Sequence, residues 1–258
     1  MDRSAAVAVL SALCSGQRGV FRGRDAVARG GRRTQLQLLC EIGIIERLLP
    51  NTYRMTSVPR SDEQWLRASL LWAGRQSAAD GQSAGWWYDL QGVRAPRPQI
   101  VVADPSHCRC RQVHTRRVDD LAPLMIRRHR GLPVTGVEAT IVRLAHLLDD
   151  EALEIAFEDA RRRKLTTMPA MQAYLDRHSR RGQRGVATLR ALLRELDPTH
   201  PSRSTLEVKT RRLLRANGIN DFVREFPLDG YFFDFGFVAR HTILETNGKR
   251  WHDDPVDY

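Results

Sequence analysis

Hydrophobic positions in the first sixty residues fall at helical spacing and then change to strand-like runs. Ala5 to Cys14 reads as a short helix, and GRDAVARG (23–30) as a second one closed by glycines. TQLQLLCEIG reads as a third helix, with Thr34 as its N-cap, Leu36, Leu39 and Cys40 on one face, and Gly43 as its stop. IIERLLPNTYRM then gives two strands broken at Pro50-Asn51. From 61 to about 131 the pattern is mixed. Trp65, Leu70 and Trp72 suggest a helix, SAGWWYDLQG a helix end and turn, and QIVVADP and RQVHTRRV two strands. After GLPVT (131–135), four segments carry apolar residues at helical spacing: VEATIVRLAHLL, EALEIAFEDARRRK, MQAYLDRHS and GVATLRALLREL. DPTHPSRS (197–204) holds two prolines and marks a boundary. Beyond it come a helix from Ser204 to about Ala216 and three strands, DFVREFPL, YFFDFGFV and TILETN, the first two joined at Asp229-Gly230.

This order predicts an α+β chain of three units. Residues 1–60 have the plan of a winged helix-turn-helix, three helices and a hairpin. Residues 61–203 form a mixed α/β region ending in a helical bundle, and 204–258 an αβββ unit. In such a winged domain the third helix meets DNA. Arg29, Arg32 and Arg33 cluster at its start, and Thr34, Gln35 and Gln37 are its polar candidates for contact with duplex DNA. The alternative is a three-helix scaffold used for protein contacts.

Charge changes this picture by localising it. The chain of 258 residues carries 41 Lys and Arg against 30 Asp and Glu, a formal +11. From Ser204 onward there are 8 basic and 9 acidic residues, leaving 33 against 21 upstream, so a polyanion partner belongs to the first 203 residues. The Arg bias of a GC-rich genome would give a similar excess. No apolar run reaches the roughly 18 residues needed to span a bilayer. The N-terminal stretch, with Asp2 inside it, reads as an amphipathic helix rather than a signal peptide, so a cytoplasmic protein without membrane contact is expected. Cys14, Cys40, Cys108 and Cys110 are then expected to be reduced thiols. His107, Cys108, Cys110 and His114 lie close together, but the C-x-C spacing has no second pair to complete a zinc site, which favours a polar strand.

The last two strands hold the candidate chemistry. If Ala239-Arg240 is a two-residue loop, Val238 faces His241 and Asp234 falls opposite Glu245, with Asn247 on the same face. Like charges directly opposed are destabilising, and a cation between them is a natural explanation. An edge strand with Asp234 turned to solvent is the alternative. Glu207 stands three residues after Ser204, which is also the spacing of a capping box.

The run from S-x-L-E207 through D234-F235 to E245-x-N247-G-x-x-W-H252 resembles the very-short-patch-repair-like endonuclease domain, of the PD-(D/E)XK restriction-endonuclease fold. The upstream part, with its LLPNTYR wing and its GLPVT-x-VEATIVRLA block, resembles the AbiEi-type antitoxins of type IV toxin–antitoxin systems. The endonuclease resemblance implies Mg²⁺ bound by Asp234 and Glu245. It also implies catalytic roles for Glu207, Asp234, Glu245, Asn247 and His252, although a histidine at such a position is also an ordinary surface residue. Asn247 stands where the family carries a charged residue, with Lys249 two positions on. The fold ordinarily continues with another helix and strand, so the resemblance implies a truncated endonuclease unit. Together these resemblances imply a DNA-binding regulator of the antitoxin type, with a cognate toxin as partner and an impaired endonuclease-like domain. The alternative is a Mg²⁺-dependent DNA endonuclease directed by the winged helix.

Overall fold

The computed structural model describes residues 3–103 and 110–247. The chain opens with α1 (Arg3–Cys14), β1 (Val20–Arg22), α2 (Gly23–Ala28), α3 (Arg33–Glu41), β2 (Ile45–Leu49) and β3 (Thr52–Met55). The three strands pair antiparallel in the order β1-β3-β2, which is the winged helix-turn-helix arrangement. Alternation gives this small sheet two apolar faces. Phe21, Ile45 and Met55 pack with Ala6, Leu10, Ala26, Leu36 and Leu39 of the three helices, whereas Val20, Leu48 and Leu49 point the other way, into the main core.

That second face is covered by α4 (Asp62–Ala73), capped by Ser61 accepting from the Gln64 N–H at 3.2 Å. Polar contacts reinforce the seam. Gln64 is fully buried and its side-chain amide donates to the Arg18 carbonyl at 2.8 Å, Arg18 pairs with Glu63 at 2.9 Å, and Arg22 donates to the Leu71 carbonyl. The winged helix therefore shares its core with the region that follows.

The middle region continues with β4 (Ser77–Ala79), α5 (Gly81–Trp87), β5 (Gln99–Val102), β6 (His114–Arg117), a 3-10 turn at Ala122–Leu124, β7 (Arg127–His129) and β8 (Leu132–Val134). These strands make a mixed sheet in the order β6-β5-β4-β8-β7. The helices α6 (Val137–Leu147), α7 (Asp150–Arg162), α8 (Met168–His178) and α9 (Val186–Glu195) form the bundle the sequence predicts. Side-chain caps start two of them, Asp149 on the Ala152 N–H at 2.8 Å and Thr167 on the Ala170 N–H at 3.2 Å. Ile141, Leu144, Leu153, Phe157, Met171, Leu175 and Leu189 are the fully buried centre of this core.

The C-terminal unit is α10 (Thr205–Ala216), β9 (Val223–Leu228), β10 (Tyr231–Phe237), a 3-10 turn at Val238–Arg240 and β11 (Thr242–Leu244), with β10 central. Phe222 packs edge-on against Phe235 and Phe237, with ring centroids 5.3 and 6.2 Å apart.

The prolines of 197–204 do not make a free linker, because α7 fastens the segment. Arg161 donates to the carbonyls of Asp197 and Pro198 at 2.7 and 3.2 Å, and Glu158 accepts the Ser202 N–H. Partial burial raises the Asp197 carboxyl. Hydrogen bonds from the His200 and Thr199 N–H groups and the Thr199 hydroxyl outweigh this and hold it far below the ordinary carboxylate value. One turn away on α7, Glu154 takes Arg211 and, at 2.7 Å, Arg212 of α10, and Arg211 and Glu154 are only 1% and 4% exposed. The C-terminal unit is thus docked through a buried ion pair.

Candidate nucleic-acid interface and carboxylate hairpin

The third helix starts two residues earlier than the N-cap at Thr34 would have it. Arg32 is the extended N-cap residue, its N–H donates to Gln35 Oε1 at 2.9 Å, and Thr34 is an exposed residue of the first turn. Gln35 is half-buried and spends its carbonyl oxygen on this cap, because an uncapped helix start leaves backbone N–H groups without acceptors. Arg29, Arg32, Arg33, Thr34 and Gln37 are all exposed, with Gln37 donating to Glu41 at 3.1 Å.

Beside this helix lies a cleft of about 520 Å³, walled by Gly23, Arg24 and Val27, by Arg33 and Leu36, and by Arg47, Asn51 and Tyr53 of the wing. The wing turn is held to α2 by the Gly23 N–H donating to the Asn51 carbonyl at 2.9 Å. On the wing, Glu46 is consumed by Arg54 and Arg60 at 2.9 and 2.5 Å, which leaves Arg47 unopposed. Among the described residues, Arg29, Arg32, Arg33 and Arg47 enter no ion pair, and Arg24 has only a loose contact with Asp25 at 3.7 Å. Three of these positions are the ones the sequence pattern singled out. Arg24, Arg47 and Asn51 are additions, the last two signalled by the RLLPN wing.

In the C-terminal hairpin the pairs Phe235–Leu244, Gly236–Ile243 and Phe237–Thr242 establish the register that puts Asp234 across from Glu245. The connection differs from a two-residue loop. Val238–Arg240 form a 3-10 turn and His241 takes a left-handed φ of 48°, so pairing stops at Thr242 and β11 ends at Leu244, one residue before Glu245. Thr246 fills the gap, its N–H donating to Asp234 Oδ2 at 2.8 Å and its hydroxyl to the same atom. Partial desolvation first, and then the Asp234 charge, push the Glu245 carboxyl above its ordinary value, against a hydrogen bond from the Asp234 backbone and the pull of Arg203. The two acids therefore feel each other. Asn247 follows as an exposed residue.

Glu207 is 2% exposed and fully engaged elsewhere. It takes the Arg203 N–H at 2.6 Å and Arg224 at 2.8 Å, while Ser204 accepts its own N–H at 3.0 Å. Ser204 caps the helix, while Glu207 reaches back to the N–H of the residue before the cap and holds a buried ion pair with Arg224. His252, with Lys249, lies outside the described residues, as do His107 and Cys108. Asp234 and Glu245 have the hard-oxygen chemistry that Mg²⁺ takes in company with substrate phosphates. Among the described residues no group of three or more His, Cys, Asp and Glu side chains comes together to hold a metal.

With this geometry in view, comparison with known proteins bears on the fold. No protein-family model and no curated protein matches the chain. Among solved structures, the RV2827C protein from Mycobacterium tuberculosis is similar over 81% of both chains, at 20% identity and a TM-score of 0.51. At that identity the likeness establishes a shared α+β fold. No helix among the described residues is long and apolar enough to cross a membrane.

Proposed function

We propose that the protein is a DNA-binding regulator of the kind the type IV antitoxins represent, engaging duplex DNA through α3 and the wing. The observation that carries this reading is a set of guanidiniums without ion pairs among the described residues: Arg33 and Arg47 wall one cleft, and Arg29 and Arg32 are exposed at the entry to α3. Arginine forks without internal acceptors are suited to phosphate oxygens, and the start of a helix adds its positive dipole end. Thr34 and Gln37 stand on the exposed side of the same helix, where base edges would be read. The shared core between winged helix and α4 means that DNA docked on α3 also orients the middle region and, through α7, the C-terminal unit. A cognate toxin is the protein partner this reading implies. Fluorescence anisotropy of a labelled duplex tests the DNA contact. Arg33→Glu should abolish binding, whereas Asp234→Ala should leave it intact, and a duplex bound equally well by Arg33→Glu refutes the assignment.

A second reading rests on the facing pair Asp234 and Glu245. Mg²⁺ held there would supply a Lewis acid for phosphodiester hydrolysis. Purified protein would then nick supercoiled plasmid with Mg²⁺, and Asp234→Ala and Glu245→Ala would each stop it. Absence of nicking with Mg²⁺ or Mn²⁺ removes this reading. The commitment of Glu207 to Arg224 and the helix cap is what ranks it second.

A further inference from the structure

The positive charge of the chain is not confined to the winged helix. Between β6, α6, α8 and the loop into α9 lies a pocket of about 440 Å³. Its polar wall is Arg116, Arg143 and Arg184 with His146, and Leu124, Ala139 and Val142 line it beside Tyr174. Two of these guanidiniums approach one carboxylate. Asp80, 2% exposed, accepts from Arg116 through two bonds of 2.6 and 2.9 Å. Its Oδ2 lies 3.9 Å from Arg143 Nε, beyond hydrogen-bond reach, and that Nε is buried without an acceptor. Arg184 is exposed and has no ion-pair partner among the described residues. The nearby histidines register the surplus. His146 is shifted down by burial and then by Arg143 and Arg184. His114, two residues before Arg116 on β6, is shifted down by burial, Arg143 and Arg97, with Asp80 pulling the other way.

The fold holds this arrangement in place. Gly185 has φ 84°, and a Cβ there would come within 2.8 Å of the Ala145 carbonyl carbon and the His146 nitrogen. Only glycine lets the loop rest directly on the last turn of α6, and this seats Arg184 next to His146. Tyr174 is anchored by its hydroxyl donating to the Pro123 carbonyl at 2.9 Å, so its ring is a fixed wall rather than a mobile cover.

We propose that this pocket binds a small phosphorylated molecule of mononucleotide size, with its phosphate on the guanidiniums and its uncharged part against Leu124, Val142 and Tyr174. Guanidinium forks match phosphate oxygens in geometry as well as charge, and Arg184 lines the pocket with no ion-pair partner among the described residues. The volume lies in the range of small-molecule sites, and a few convergent polar groups over an apolar lining is their usual composition. The site is separate from the winged-helix cleft and does not depend on the DNA-binding reading.

Isothermal titration of the full chain with AMP in phosphate-free buffer tests it. Saturable one-to-one binding is expected, weakened at least about tenfold by Arg184→Glu, the loss of one charge-assisted contact. Because Arg184 is exposed and unpaired, the variant should keep the wild-type melting temperature and DNA affinity. No heat with AMP at roughly 5 mM, where even millimolar affinity would register, overturns the proposal. So does undiminished binding by Arg184→Glu. Inorganic phosphate binding as tightly as AMP would contradict a role for the apolar lining, and displacement of AMP by duplex DNA would contradict a separate small-molecule site.

Discussion

Replacing Glu154 by alanine would strand the most deeply buried cation among the described residues. Arg211 is 1% exposed, its Nε already has no acceptor, and Glu154 on α7 is the carboxylate it pairs with. Arg212, whose side chain is 35% exposed, can turn to water, but Arg211 cannot without moving α10. Breaking a buried pair from one side costs about 3–5 kcal/mol, whereas replacing both partners by apolar residues of similar volume is close to neutral. At about 1.4 kcal/mol per tenfold, Glu154→Ala should therefore lower the protection of α10 amides in hydrogen exchange by roughly two to four decades. Protection in the bundle centre, around Phe157 and Leu189, should change far less. The double variant Glu154→Met with Arg211→Met should restore α10 protection to within about tenfold of wild type. If Glu154→Ala changes α10 exchange by less than about fivefold, the docking of the C-terminal unit does not depend on this pair, and the account of a fastened unit is wrong.

Further outcomes follow from the same structure. Gly236→Ala places a Cβ 2.2 Å from Phe226 Cγ in the centre of the hairpin, and should destabilise the C-terminal unit by about 1–3 kcal/mol in urea unfolding. The Glu245 carboxyl lies above its ordinary 4.5, so the folded state binds that proton more tightly than the unfolded chain, and stability falls as pH rises through this window. Glu245→Gln should therefore stabilise the protein at pH 7 by roughly 0.5 kcal/mol, a gain that fades towards pH 3; a destabilised variant at pH 7 would contradict the facing pair. Asp197 is shifted the other way, so its contribution is present above the ordinary 3.8 and is lost as pH falls below it. Asp197→Asn should lower stability at neutral pH and flatten the acid limb of melting temperature against pH.

Much of this architecture could be read from local pattern. The helices of the bundle follow from apolar spacing. The facing of Asp234 and Glu245 survived the substitution of a 3-10 turn for a tight loop, because the alternation of Phe235, Phe237 and their partners specifies the register. The part of Glu207 in the helix start was legible from Ser204 three residues earlier. Other features have no local signature. β4 is only Ser77-Ala78-Ala79, a poor strand sequence made central by burial on both faces, and β1 is three residues recruited by pairing with β3. The 197–204 segment reads as a free boundary because its partners Glu158 and Arg161 are about forty positions away. Arg47 joins the cleft, and Arg116, Arg143 and Arg184 meet, only once the chain is folded.

The central claim is that the winged helix meets DNA phosphates with a defined set of arginines. Its most direct test is the salt dependence of duplex affinity for the full chain between 50 and 200 mM NaCl. If Arg29, Arg32, Arg33 and Arg47 each neutralise one phosphate, log K should fall with log salt at a slope of about −3.6, roughly a 150-fold loss over that range. The double variant Arg32→Ala, Arg33→Ala should bring the slope to about −1.8. A wild-type slope near zero, or a double variant with the wild-type slope, would contradict the account.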